Sequence, residues 1–222
     1  MHVFPRAMMF RIRGTEKHLV AGDRHRKGVR FRQSGLWDDR VVCELHEKMF
    51  GTADDYAIEL CRRIGEARQT PGGSAYEIAN PNPNLLVRFA CATVWRQTVS
   101  GDGRELDLDL GPYRQILESY LFSDRPAPIQ ALIGRSNLTG PDGRPIEIAI
   151  APYRRRLMDW HVWHFTMGPL SVFLKTDKRP FPASWTPYLA NDNDPLTLIG
   201  MDARRVDQIP ILQPILRSMF RR

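Results

Sequence analysis

Trp160-His-Val-Trp-His-Phe-Thr-Met-Gly-Pro-Leu-Ser-Val-Phe-Leu174 (WHVWHFTMGPLSVFL) decides the fold class. Aromatic and β-branched side chains dominate it, and these suit the pleated, half-buried surface of a strand. Upstream, Ile146, Ile148 and Ile150 alternate strictly, and Ile129-Gln-Ala-Leu-Ile133 is another short apolar run. A period of two predicts strands, and Pro141-Asp-Gly-Arg144 has the chemistry of a turn between the first two. Before residue 125 the period is helical. Asp54 and Asp55 cap a helix over residues 56–68, with Ala57, Leu60, Cys61 and Ile64 on one face. Asn84 caps a second helix through Leu85, Leu86, Phe89, Val94 and Trp95 that is apolar on nearly all sides, hence central. Tyr113, Ile116, Leu117, Tyr120 and Leu121 mark a third, amphipathic helix. Helices followed by successive antiparallel strands place the chain in the α+β class.

The first 50 residues read differently. Met8-Met-Phe-Arg-Ile-Arg13 and Val29-Arg-Phe-Arg32 alternate like strands of small hairpins, punctuated by Gly14 and Gly22. Residues 41–50 read as a turn around Cys43 and a short helix that Gly51 ends. Asn80-Pro-Asn-Pro-Asn84 breaks the pattern and predicts a boundary between a module over 1–70 and an α+β domain over 84–222. In the proline-spaced tail from Pro180, Ile209, Ile211, Leu212, Ile215 and Leu216 can pack on the core.

A chain of 222 residues with 42% hydrophobic content can bury a sizeable core without staples. Three cysteines, Cys43, Cys61 and Cys91, are an odd number at irregular spacing, which suits reduced thiols and predicts a cytoplasmic location. No run of eighteen apolar residues and no leader pattern occurs, so neither membrane spanning nor secretion is expected. The net charge of +7 is equalled within residues 1–33, where nine Lys/Arg face only Glu16 and Asp23. A strip so concentrated attracts nucleic acid or an acidic protein surface through counterion release and steering. A solvated basic arm is the plainer alternative. Arg6, Arg11, Arg13, Arg24, Arg26, Lys27, Arg30 and Arg32 would carry the contact.

Cys43-x-x-His46 has the spacing of a zinc half-site, but tetrahedral zinc takes four ligands and no second pair of this kind exists. His2, His18, His25, His161 and His164 are the other histidines. The plainer reading makes Cys43 a small apolar residue under the helix and His46 a surface or capping residue. The expectation is a protein without a resident cofactor, with zinc or magnesium as the ions to test.

Met1-His-Val-Phe-Pro-Arg-Ala-Met-Met9, followed by Gly35-Leu-Trp-Asp-Asp-Arg-Val-Val-Cys-Glu-Leu-His-Glu47 and its continuation to Ala57, resembles a family of uncharacterised bacterial proteins related to HNH endonucleases. There a Cys-x-x-Cys knuckle precedes a Ser-His-Ile-Ile-Pro-Lys motif, and a second knuckle followed by Glu lies downstream. A later helix ends in a Trp-Arg pattern, here Ala92-Thr-Val-Trp-Arg96. The resemblance spans residues 1–122. It implies a small, degenerate treble-clef-like N-terminal module, with His2 on the general-base position, Pro5 on the motif proline, Cys43 on the first cysteine of the second knuckle and Glu47 on the acid after it. His46 replaces the second cysteine, and neither the first knuckle nor a His/Asn pair for the divalent ion is present in this sequence.

Metal-assisted phosphodiester hydrolysis needs both a base and a hard cation held by oxygen or imidazole ligands. With those ligands missing, the expected function is binding, to nucleic acid or to an acidic protein that handles it, within a larger complex. Because such modules occur in phage and mobile-element contexts, the resemblance implies a part in phage defence or its inhibition. The rival is an HNH-like nuclease with His2 as base and ligands recruited from a partner. A third constellation, Arg154-Arg-Arg156 beside Trp160-His-Val-Trp-His164, could hold phosphates and stack bases. On one strand, however, His161 and His164 point to opposite faces and are not joint ligands.

Overall fold

Pro5 leads into helix α1 (Arg6–Arg13), and Gly14, at a φ of 59°, closes it. The computed structural model describes residues 1–14, 19–22, 29–32, 35, 38, 43–71, 75–123, 129–140, 143, 145–190 and 194–201. The strand expected over residues 8–13 is therefore a helix. Six residues of alternation are too short to fix the period, and the flanking proline and left-handed glycine are helix-boundary signals. Met8 and Met9 are buried, while Arg6 and Arg11 are exposed.

Strands β1 (Leu19–Gly22) and β2 (Val29–Arg32) pair antiparallel as a two-stranded hairpin. Helix α2 (Glu44–Glu66) then runs 23 residues without a break. The sequence predicted a short helix stopped by Gly51 and a new one from residue 56. A glycine inside a helix costs only about 1 kcal/mol, and packing outweighs it here, because Phe50, Ala53, Ala57, Leu60, Cys61 and Ile64 form one buried stripe along α2.

After β3 (Ala75–Ile78) comes α3 (Pro83–Val99), capped by Asn82, whose side chain accepts the Leu85 backbone N–H at 3.1 Å. The cap lies two residues before the Asn84 expected from the sequence. Pro83 fits the first turn because its missing N–H has no intrahelical partner there. Residues Phe89 through Thr98 are buried all round, as the apolar sequence of this helix predicted. The helices α4 (Gly101–Glu105) and α5 (Tyr113–Ser123) follow.

The remaining strands are β4 (Ala131–Arg135), β5 (Ala149–Leu157), β6 (Trp160–Met167), β7 (Leu170–Lys175) and β8 (Leu196–Gly200), with a 3-10 turn (Ala183–Tyr188) before the last. They form a six-stranded sheet in the order β3-β8-β4-β7-β6-β5. All neighbours are antiparallel except the parallel pair β4 and β8. Helices beside this mixed sheet make an α+β fold.

Alternation along β6 sorts its side chains as expected. Trp163, Phe165 and Met167 join the large core under the helices, while Val162 joins a smaller cluster with Leu132, Phe173, Phe181 and Leu189 on the outer face. Met1, Val3, Phe4, Met8 and Met9 enter the large core together with Phe89, Trp95 and Val172. Side chains from both 1–70 and 84–222 therefore share one interior, and β3, just before the Asn80–Asn84 breaker, is a strand of the main sheet. Gly168, in the β6–β7 turn at a φ of 58°, leaves room for the tip of Met8, which occupies the space a side chain would need. That close approach seats α1 against the sheet. The tail positions Ile209 to Leu216 lie outside the described residues, as do Pro141, Asp142 and Arg144 of the expected turn. No helix among the described residues is long and apolar enough to cross a membrane.

Candidate functional site

A cavity of about 370 Å³ opens where the N-terminal segment meets α2 and α3, lined by His2, Pro5, Arg6, Glu47, Asp54 and Arg96. Glu47 and Asp54 are seven residues apart on α2, two turns along one face. Opposite them stands Arg96 of α3, its side chain 3% exposed. The Arg96 Nη2 donates to both Asp54 carboxylate oxygens at 2.9 Å. Nη1 donates to the Val3 carbonyl at 3.5 Å, and the guanidinium lies 4.6 Å from the Phe50 ring centroid. One buried arginine thus ties the N-terminal segment to α2.

Burial dominates Asp54 and raises its pKa in spite of Arg96, because desolvation penalises the carboxylate. Glu47 is half exposed and sits 3.8 Å from the Met1 amino group. The His2 pKa is lowered by burial first, then by the amino terminus and Arg6, against an opposing pull from Glu47. Its imidazole is therefore neutral near pH 7 and able to accept a proton. Arg6 is exposed, lies 5.1 Å from the Phe10 ring centroid and makes no ion pair with a described residue.

Four residues that the HNH resemblance singled out, His2, Pro5, Glu47 and Arg96, therefore line one cavity. Asp54 was read only as a helix cap, and its pairing with a residue 42 positions away left no local signal. Of the other basic candidates, Arg11 pairs with Glu147 at 2.8 Å and Arg13 lies over the Phe10 ring at 4.6 Å. Arg30 and Arg32 fall on β2. Arg24, Arg26 and Lys27, like His18 and His25, lie outside the described residues.

Cys43 and His46 sit together one turn apart at the start of α2, with Sγ 3.1 Å from Nδ1. The His46 ring meets Phe122 edge-on at 5.4 Å. Hydrogen bonds from the His46 backbone N–H and then its side chain lower the Cys43 pKa, whereas burial raises Cys61 to about 12. Cys43 is exposed rather than tucked under the helix. Among the described residues no three His, Cys, Asp or Glu side chains converge as a metal site requires. The described donors at Cys43 and His46 are two where zinc needs four, and no step below runs through a metal.

His161 and His164 face opposite ways, as alternation requires. His161 is exposed. His164 is buried, its Nδ1 2.8 Å from the Tyr153 hydroxyl and its Nε2 2.9 Å from Ser171 Oγ. Its ring stacks on Phe173 at 4.1 Å, and burial with the nearby Arg155 lowers its pKa to about 3. This histidine is a satisfied element of the sheet.

The chain matches no family model, no curated protein and no solved structure.

Proposed function

We propose that the protein binds nucleic acid through phosphate contacts, with the His2 cavity and the basic face of α1 as the point of attachment. The observation that carries this reading is Arg6 at the cavity rim, a cation without a carboxylate partner among the described residues, next to the inward Arg96. A phosphate oxygen entering there would meet a guanidinium fork and a neutral imidazole rather than a second imidazolium. Guanidinium groups match phosphate geometry in a way an ammonium does not. Arg11 and Arg13, one and two turns along α1, extend the same face.

A second reading is favoured by the meeting of His2, Glu47 and Arg96: phosphodiester cleavage with His2 as general base. In that case neutral His2 takes the proton of the attacking group while Arg6 and Arg96 stabilise the developing charge.

Fluorescence anisotropy with labelled oligonucleotides, run beside a gel assay for cleavage with and without Mg²⁺ or Mn²⁺, separates the two. Salt-dependent binding without cleavage, weakened in Arg6→Ala, supports binding. Turnover abolished in His2→Ala supports the nuclease. Neither binding nor cleavage at low salt overturns both and leaves docking of an acidic protein surface. Elemental analysis of the purified protein tests the metal independently.

A further inference from the structure

The sheet ends in a second basic strip that the cavity does not use. Strand β5 is the last in the order, so one of its edges has no strand partner. On it Arg154, Arg155 and Arg156 are consecutive and all exposed. None of the three makes an ion pair with a described residue. Two are braced from below by rings, Arg154 at 5.5 Å from Trp163 and Arg155 at 5.7 Å from Phe173. The exposed His161 is the cross-strand neighbour of Arg156. Because successive side chains leave a strand on opposite sides, the three guanidinium groups straddle the edge and bracket a path one chain wide.

The two basic regions are physically continuous. Arg11 on α1 pairs with Glu147, two residues before β5 begins. Along an extended strand at about 3.3 Å per residue, positions 147 to 156 span roughly 30 Å. That reach suits several nucleotides of an extended strand, the site size of single-strand binders that track a backbone along a positive groove.

We infer that the β5 edge, through Arg154, Arg155 and Arg156, holds the backbone of single-stranded nucleic acid leaving the α1 face. This rests on the nucleic-acid reading given above. A narrow ridge with cations on both flanks can be followed by a flexible single strand, whereas a duplex would meet only one flank at a time.

The test measures binding of the full chain to a labelled poly-dT oligonucleotide about 20 nucleotides long and to a duplex of equal length, as a function of salt. The variants are Arg154→Gln/Arg155→Gln/Arg156→Gln and, because Arg154 and Arg155 lie over core rings, the single Arg156→Glu. Neutralising three phosphates' worth of contact at about 0.7 per phosphate makes the slope of log affinity against log salt shallower by about 2 for the single strand. The expected result is at least about a tenfold loss for the triple variant and several-fold for Arg156→Glu, with the duplex less affected.

If wild type binds single strands and Arg156→Glu binds as well as wild type, the inference fails while the function stands. If wild type binds neither oligonucleotide, the functional reading itself fails. An equal or greater loss on duplex overturns the single-strand assignment. Unchanged binding accompanied by self-association of the triple variant would make the arginines guards of an open edge, another use of edge charge, and would also overturn the inference.

Discussion

His2 and His164 are both kept neutral largely by burial, yet they occupy opposite settings. His164 is sealed, with Tyr153 on one ring nitrogen, Ser171 on the other and Phe173 flat against the ring. His2 lines a cavity whose walls carry two arginines and two carboxylates. A lowered histidine pKa therefore does not identify a site by itself. What separates the two is room beside the ring for another molecule and charge that faces that room.

The sharpest way to break this contrast is to remove the arginine that builds the cavity wall. Arg96→Ala leaves the buried Asp54 without its bidentate partner, and the expected loss is about 3–5 kcal/mol in urea denaturation. A loss below about 1 kcal/mol would mean the pair is not structural. Asp54→Asn, which keeps a hydrogen-bond acceptor, should cost less.

Acid should find the sealed histidine next. The folded-state pKa of His164, about 3, lies below the ordinary value of about 6.5, so the unfolded chain binds the extra proton between them. Its contribution is full above about pH 6.5 and is lost as pH falls toward 3, amounting to about 2 kcal/mol lost by pH 5. Denaturation of wild type and His164→Gln at pH 7 and pH 5 checks this: the pH dependence should be shallower in the variant. Equal slopes would refute the assignment.

His2 should behave the other way. His2→Gln is expected to change stability by no more than about 1 kcal/mol while weakening oligonucleotide binding or abolishing cleavage. A large loss of stability without change in either activity would make it a second structural histidine. The smallest effect belongs to the exposed ion pair of Lys48 with Glu44 on α2. Lys48→Ala should cost only about 0.3–0.5 kcal/mol by denaturation, and a greater cost would implicate a wider charge network around the cavity.

The strands were legible because alternation and aromatic content agree over long runs: β6 spans the Trp160–Met167 stretch read from the sequence. The third helix and the buried nature of α3 were legible for the same reason, each having a long, consistent period. The failures share a cause. At Met8–Arg13 the pattern was short and its boundary residues decided the outcome, and at Gly51 a local preference of about 1 kcal/mol was outweighed by a stripe of packing that no single residue announces. The interior shared by residues 1–70 and 84–222 depends on Met8 against Gly168, a contact between positions 160 residues apart. Of the cavity, His2, Pro5, Glu47 and Arg96 were visible only through resemblance. Asp54 was not visible as a partner of Arg96, because pairing across helices has no period to read.

The position of β8 has a consequence for synthesis of the chain. It is wedged between β3 and β4, so β3, at residues 75–78, has no neighbour in the main sheet until residues 196–200 have emerged from the ribosome. Until then roughly half of the nascent polypeptide waits with an unzipped flank, the long-range closure that slows β-rich topologies. Chaperone contact during translation should concentrate on that interval.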